Sequence, residues 1–415
     1  MRTLLLSALA LGAFTAIAFA APGCSSSNDN NGGSDGGSGE DAPSANPPKL
    51  GFTPSNLSLG TIDVTGLGDF VADRDCTLRS DEDENPCSEA NITKFTVVSQ
   101  TGGGQKVGVY LAKSFRINAN VTVKTTGEYP IALVALDKIE ILGHLDAAAV
   151  GYTQAAGGAA SKATNENGVG SGGGAGGKAD SNAGGGGSFC GIGGKGPAQA
   201  GLNGVAASGG QKYGTLTLIP LVGGSSGGAG AIVSGGAGGG AIQLVAANSI
   251  AIGASGTINV GGGGGARSGA DNDSKDQASG GGSGGAILLE AGQVDIAGIL
   301  AANGGGGGGG GTEDEHDGEN GTTQRAGQDV AAAKGGKSKT DNHGGNGSAG
   351  AFLNGVDGIG TSEATSASGG AGGGGGGAGR IRINTRTGAA TIAGLLSPTL
   401  GKTETDCTTQ GTLTP

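Results

Sequence analysis

Tryptophan is absent, methionine occurs once, and 415 residues hold only eight phenylalanines and four tyrosines. So few large side chains leave no stacking platform for bases. No basic stripe offsets a net charge of −11, so the composition argues against nucleic acid as a partner. No stretch after residue 25 shows helical periodicity, which argues against βαβ units. No glycine run is followed by Lys-Ser or Lys-Thr and a helix, so none reads as a phosphate loop. The five cysteines show no CxxC spacing, and a zinc site is not expected.

What the chain has is glycine, 98 residues of it. Glycine brings no side chain to bury and loses the most backbone freedom on folding. A core must therefore come from the apolar segments between the glycine runs. Four of these segments can be laid over one another: "IALVALDKIEILGHLDAAA" from Ile131, "AIQLVAANSIAIGASGTINV" from Ala241, "AILLEAGQVDIAGILAAN" from Ala286 and "RIRINTRTGAATIAGLLSP" from Arg380. Each alternates at period two, takes a short polar step, and resumes through a glycine. The closing phrase recurs as "ILGHL" at 141–145, "IAGIL" at 296–300 and "IAGLL" at 392–396; the second copy, "IGASGTI" at 252–258, is two residues longer. Short strands recurring in phase predict stacked coils. The expected fold is all-β: a right-handed parallel β-helix, a solenoid, over about 50–400. Long glycine-rich insertions would interrupt it at about 148–240, 261–285 and 303–379, and a tail would follow at 401–415. The insertions themselves have two readings. They are either solvated surface loops or extended polyglycine-like strands that pack side by side because no Cβ keeps them apart.

The N-terminus reads as a targeting segment. "MRTLLLSALALGAFTAIAFAAPGC" has one early charge and then an apolar run, as in a signal peptide over 1–23. "APGC" resembles a bacterial lipobox, which would make Cys24 the lipidated first residue. A polar Gly/Ser-rich tether at 24–49 follows. With Ser25 rather than Asp after the cysteine, the resemblance to Gram-negative lipoproteins implies the outer membrane, with the membrane as partner through the lipid; the other option is plain secretion. Four cysteines remain, an even number in an exported chain. Three connectivities are open. Cys76 with Cys87 would close a short local loop, and Cys190 with Cys407 would tie an insertion to the end of the core.

The start of the chain, "SFRINANVTVKTTGEYPIALVALDKIEILGHLDA" and "GGGGGGAGRIRINTRTG" resemble a group of glycine-rich exported proteins of myxobacteria and related bacteria, often labelled PE-PGRS-like. No PE-type helical N-terminus is present. The resemblance implies a secreted or surface location and no particular activity.

Candidate chemistry is sparse. Many β-helix proteins cleave polysaccharides with paired Asp, a Gly-His-Gly and an Arg-x-Lys. This chain offers Asp341, His343, Arg380 and Arg382, without an Asp-Asp pair. The two arginines alternate with Ile381 and Ile383, which puts them on the solvent face of a strand. His144 is also expected to face outward. "DRDCTLRSDEDENPC" packs Asp73, Asp75, Asp81 and Asp83 around a candidate disulfide, and such oxygen ligands could hold calcium. The expected function is a non-catalytic, structural or adhesive surface lipoprotein, with cell-surface or extracellular polysaccharide as the candidate partner. A polysaccharide lyase or hydrolase and a calcium-dependent binding module are the alternatives.

Overall fold

The computed structural model describes residues 48–415 except 61, 84–85, 88–91, 180, 200–203, 269–275, 312–315, 327–328, 340, 361–369 and 402–405. Among the described residues there is no helix. The strands form two main sheets. The larger runs in the order Asp69–Ala72, Ser114–Ile117, Lys138–Ile141, Ala241–Ile252, Ala286–Ile296, Arg380–Thr385, Thr408–Thr412, all parallel. Ile131–Ala135 and Val107–Ala112 extend it, and Lys94–Val98 closes that side as an antiparallel partner of Val107–Ala112. The smaller sheet runs Leu395–Ser397, Ile299–Ala301, Thr257–Asn259, His144–Asp146, Thr122–Thr126, Cys76–Arg79, again parallel.

The four repeated phrases lie beside one another in register. Ile141 pairs with Ile252, Ile252 with Ile296 and Ile296 with Ile392. Leu145, Ile258, Leu300 and Leu396 make the matching row in the smaller sheet. Both rows belong to one apolar cluster between the sheets. At roughly 1.5–3 kcal/mol per buried aliphatic side chain, these rows are the main apolar contribution to stability. The recurring glycine has a packing reason: a methyl on Gly298 would strike the carbonyl oxygens of Gly256 and Gly253, and one on Gly394 would strike that of Gly298.

The expected right-handed β-helix is corrected. The strands are distributed over two parallel sheets, with no solenoid running through 50–400, and much of the chain between them is neither strand nor helix. Period-two alternation reveals strands and their buried faces. It says nothing about the path that joins them or about what the intervening glycine does.

That glycine builds a layer of its own. In residues 278–285 successive backbone N–H groups turn to three different neighbours and return to the same one every third residue. Ala278, Gly281 and Gly284 donate to the carbonyls of Ala371, Gly374 and Gly377; Ser279, Gly282 and Gly285 to those of Ala266, Gly263 and Val260; Gly280 and Ser283 to those of Gly228 and Ser225. Its carbonyls accept from three further segments: from Gly184 and Gly187, from Gly236 and Gly239, and from Gly305 and Gly308. The segment thus has six neighbours, three accepting and three donating. Three residues per turn with all hydrogen bonds outward is the geometry of the polyproline-II helix. In collagen only every third residue meets the axis and must be glycine. Here neighbours approach from all sides, so crowding is not confined to one position in three, although Ala278, Ser279 and Ser283 find room for a side chain. A methyl on Gly304, Gly305, Gly306 or Gly307 would land on a carbonyl oxygen of Gly376, Gly263, Lys334 or Gly373. Of the two readings of the insertions, the packed one describes these segments.

The outer face of the larger sheet is covered as well. Leu50, Leu57 and Leu59 pack on Val109, Leu111, Val134 and Val245. This explains why "VGVYLA" and "IALVA" are apolar at every position rather than alternating: both of their faces are buried.

Candidate functional site

The sequence-selected residues do not gather. Cys24 lies outside the described residues. Cys76–Cys87 and Cys190–Cys407 are disulfides. Asp73, Asp75, Asp81 and Asp83 are each engaged separately among the described residues. Asp73 pairs with Arg74 at 3.4 Å, Asp75 accepts the Thr122 N–H at 2.8 Å, Asp81 pairs with Arg79 at 3.2 Å, and Asp83 is exposed. Among the described residues no three His, Cys, Asp or Glu side chains come together as metal ligands. His144 Nδ1 lies 2.9 Å from Thr257 Oγ1. His343 Nδ1 accepts the Ser338 N–H at 2.9 Å, so its ring serves the backbone.

Arg380 and Arg382 are not on a solvent face, contrary to the alternation. Arg380 lies over the Phe189 ring at 5.6 Å and donates to the Tyr213 carbonyl. Arg382 donates to Asn384 Oδ1, to Thr409 Oγ1 and to the Gln410 carbonyl. The sequence showed the alternation but not the chain that covers it.

Beside these arginines is an acid that the sequence did not single out. Glu290 is 2% exposed. One carboxylate oxygen accepts the Ser55 N–H at 3.0 Å and Gln243 Nε2 at 2.7 Å; the other accepts Ser55 Oγ at 2.7 Å and Asn384 Nδ2 at 3.1 Å. Burial raises its pKa, and the bonds from Ser55, Asn384 and Gln243 oppose the rise. With a raised folded-state pKa, the unfolded chain releases this proton first, so the group's contribution to stability declines as pH rises through the ordinary carboxyl range. Two of these four bonds hold Ser55 and two tie it to Gln243 and Asn384 of the sheet, which makes the carboxylate structural. Glu290→Gln should cost about 2–4 kcal/mol, because an amide N–H₂ would face donors. A denaturant melt checks this, and an unchanged midpoint would show that the network holds nothing.

The feature that does face outward is the border of the glycine layer. Residues 353–359 have three neighbouring segments among the described residues, not six. Gly355 and Gly358 donate to Ile192 and Lys195, Val356 and Ile359 to Asn346 and His343, and Leu353, Val356 and Ile359 accept from Ala378, Gly375 and Gly372. The bare side of such a border is sealed by side chains. Asn354 Oδ1 accepts the Ile192 N–H at 2.9 Å and Asp357 Oδ1 that of Lys195 at 2.6 Å. Asp317 and Asn320 do the same for Arg267 and Gly264, and Asn346 does so for Gly335. A signal for this was present and went unread. "DGENG" at 317–321, "HGGNG" at 343–347 and "NGVDG" at 354–358 each pair a capping side chain with a glycine facing inward; the third position varies, with Glu319 capping the Lys334 N–H, Gly345 held against the Val356 carbonyl and Val356 exposed. In "NGVDG" that third position is Val356, and Ile359 follows three residues on; they are 53% and 48% exposed. Ile192 on the adjoining segment and Phe352 at the turn are 42% and 82% exposed.

No protein-family model, curated protein or solved structure matches the chain.

Proposed function

We propose that the protein is a surface-anchored, non-catalytic structural or adhesive lipoprotein. A lipid on Cys24 holds it to the outer membrane, and the border of its glycine layer meets extracellular or cell-surface polysaccharide. The observation that carries this reading is the exposed apolar row Val356–Ile359 with Ile192 and Phe352 near it. Large side chains held in water by a fixed backbone mark contact surfaces. The row also suits the apolar faces of sugar rings. Further support comes from the lipobox-like start, the tether, the resemblance to exported glycine-rich proteins, and the engagement of His343, Arg380 and Arg382 in structural bonds.

The test compares cells carrying wild type, Val356→Asp/Ile359→Asp, and Cys24→Ala. The double variant should stay at the membrane, melt within about 0.5 kcal/mol of wild type as exposed substitutions do, and lose most adhesion to polysaccharide-coated surfaces. Cys24→Ala should move to the soluble fraction. Unchanged adhesion of the double variant would overturn the contact surface, and unchanged membrane partition of Cys24→Ala would overturn the anchor.

A further inference from the structure

One column of the larger sheet runs from Lys94–Val98 through Val107–Ala112, Ile131–Ala135, Ala241–Ile252, Ala286–Ile296 and Arg380–Thr385 to Thr408–Thr412. Only the first strand is antiparallel to its neighbour. Both end strands have a bare edge. Gly108 gives its N–H to Pro130, on the side of Ile131–Ala135, so Val109 turns to Thr96, and the backbone groups of Phe95 and Val97 point away from the sheet. At the other end Ile381 donates to Cys407 and Leu413 to Thr385, so the backbone groups of Thr408 and Gln410 point away. Among the described residues no other segment bonds to the backbone of Phe95 or Val97, or accepts the N–H of Thr408 or Gln410. The Thr408 carbonyl takes a long bond from Gly401, 3.4 Å, and the Gln410 carbonyl takes one from Arg382, whose guanidinium lies where a Gly411 side chain would be. Each of these carbonyls keeps a second lone pair.

The two edges match. Phe95 and Gln410 stand at opposite ends of one row across the seven strands, and Val97 and Thr408 at opposite ends of the next row that faces the same way. A second copy placed end to end sets Lys94–Val98 antiparallel to Thr408–Thr412, with Phe95 opposite Gln410 and Val97 opposite Thr408. Each of these pairs can exchange two hydrogen bonds. Exposed edges are usually guarded by charge or proline. Thr408–Thr412 has neither of its own, and the Lys94 ammonium is drawn to Asp63 at 3.2 Å. Charge favours joining unlike ends. At the end of the first edge, where Asp69–Ala72 and Cys76–Arg79 are also terminal strands, exposed Asp73, Asp75, Glu82 and Asp83 outnumber Arg74 and Arg79. At the other end Arg382 and Arg386 outnumber Asp406 among the described residues. Unlike ends attract and like ends repel. We infer that copies of this chain join head to tail through these two edges. Such a contact is heterologous and leaves one edge free at each end, so it propagates into a linear fibre and does not stop at a dimer. It leaves the border at 353–359 uncovered and is independent of the adhesive reading.

The experiment is sedimentation and electron microscopy of the full chain carrying Cys24→Ala, which has no lipid to imitate assembly by forming micelles. The particles should lengthen with protein concentration and shorten as salt screens their ends. Val97→Pro and Gln410→Pro each remove one outward donor, at edges where proline is tolerated. Either variant alone should be monomeric. Mixed, they should form one-to-one dimers and nothing longer, because each supplies the intact edge that the other lacks. Melting curves confirm that the variants fold. If one does not, amide exchange in the parent chain decides: the Val97 and Gln410 amides should exchange about tenfold more slowly in concentrated than in dilute solution. A monomer at every concentration, a dimer that grows no further, self-association of either variant alone, or amides indifferent to concentration would overturn the inference.

Discussion

Gly281→Ala is expected to cost about 4–5 kcal/mol, and Gly281→Val to prevent folding. Gly281 sits in the segment with six neighbours. It donates to Gly374 and accepts from Gly187. A methyl there would fall on the carbonyls of Gly305 and Gly306, the latter at 2.6 Å. Neither can yield cheaply, because the Gly305 carbonyl is itself held by the Gly376 N–H and the Gly305 N–H is held by Gly282. Moving one segment therefore loosens its neighbours. The cost approaches the whole stability of an ordinary domain, about 5–15 kcal/mol. Gly60→Ala is the control. Nothing lies within 4 Å of that site, and its backbone is not left-handed. There, reduced freedom in the unfolded chain should make the change neutral or stabilising by up to about 1 kcal/mol. Thermal melts of the two alanine variants decide the matter. Equal melting temperatures would mean that the glycine layer tolerates side chains and is not close-packed.

What the sequence disclosed follows from which atoms carry the information. The repeated phrases were legible because Ile141, Ile252, Ile296 and Ile392 act through side chains, and side chains at period two write themselves into the letters. Both disulfides were among the pairings left open, since a local loop and a long tie were the natural partition. The glycine layer was less legible. Its contacts run through N–H and C=O groups that every residue carries, so a run of glycine shows only that nothing else fits. Which segment faces which depends on the path of the chain, and that path is where the β-helix expectation failed. The capping positions at 317–321, 343–347 and 354–358 were readable in principle, but only at period three, between the periods of strand and helix. Glu290 could not be read at all as a held acid. Its partners Ser55, Gln243 and Asn384 lie 235, 47 and 94 residues away along the chain.

Removing the Cys190–Cys407 bridge by Cys190→Ser/Cys407→Ser should destabilise the protein by about 5 kcal/mol, against about 3 kcal/mol for Cys76→Ser/Cys87→Ser. The two bridges span sequence separations of 217 and 11, and the entropy a cross-link removes from the unfolded chain grows with the logarithm of the loop. The long bridge also has a native-state role that the short one lacks. Cys190 donates its N–H to the Ala378 carbonyl, and the Cys407 carbonyl accepts the Ile381 N–H. Both half-cystines thus grip the same short stretch, where the glycine run at 370–379 becomes the strand Arg380–Thr385. The bridge fastens the glycine layer to the sheets at that transition, with Leu353 packed against it. If layer and sheets unfold as one cooperative unit, the long-bridge variant melts in a single transition at a lower temperature than the short-bridge variant. Two separate transitions in the long-bridge variant would show that the layer is an independent unit and that the bridge only tethers it. A larger loss from the short bridge would reverse the ranking and place the weak point of the fold at the acidic loop.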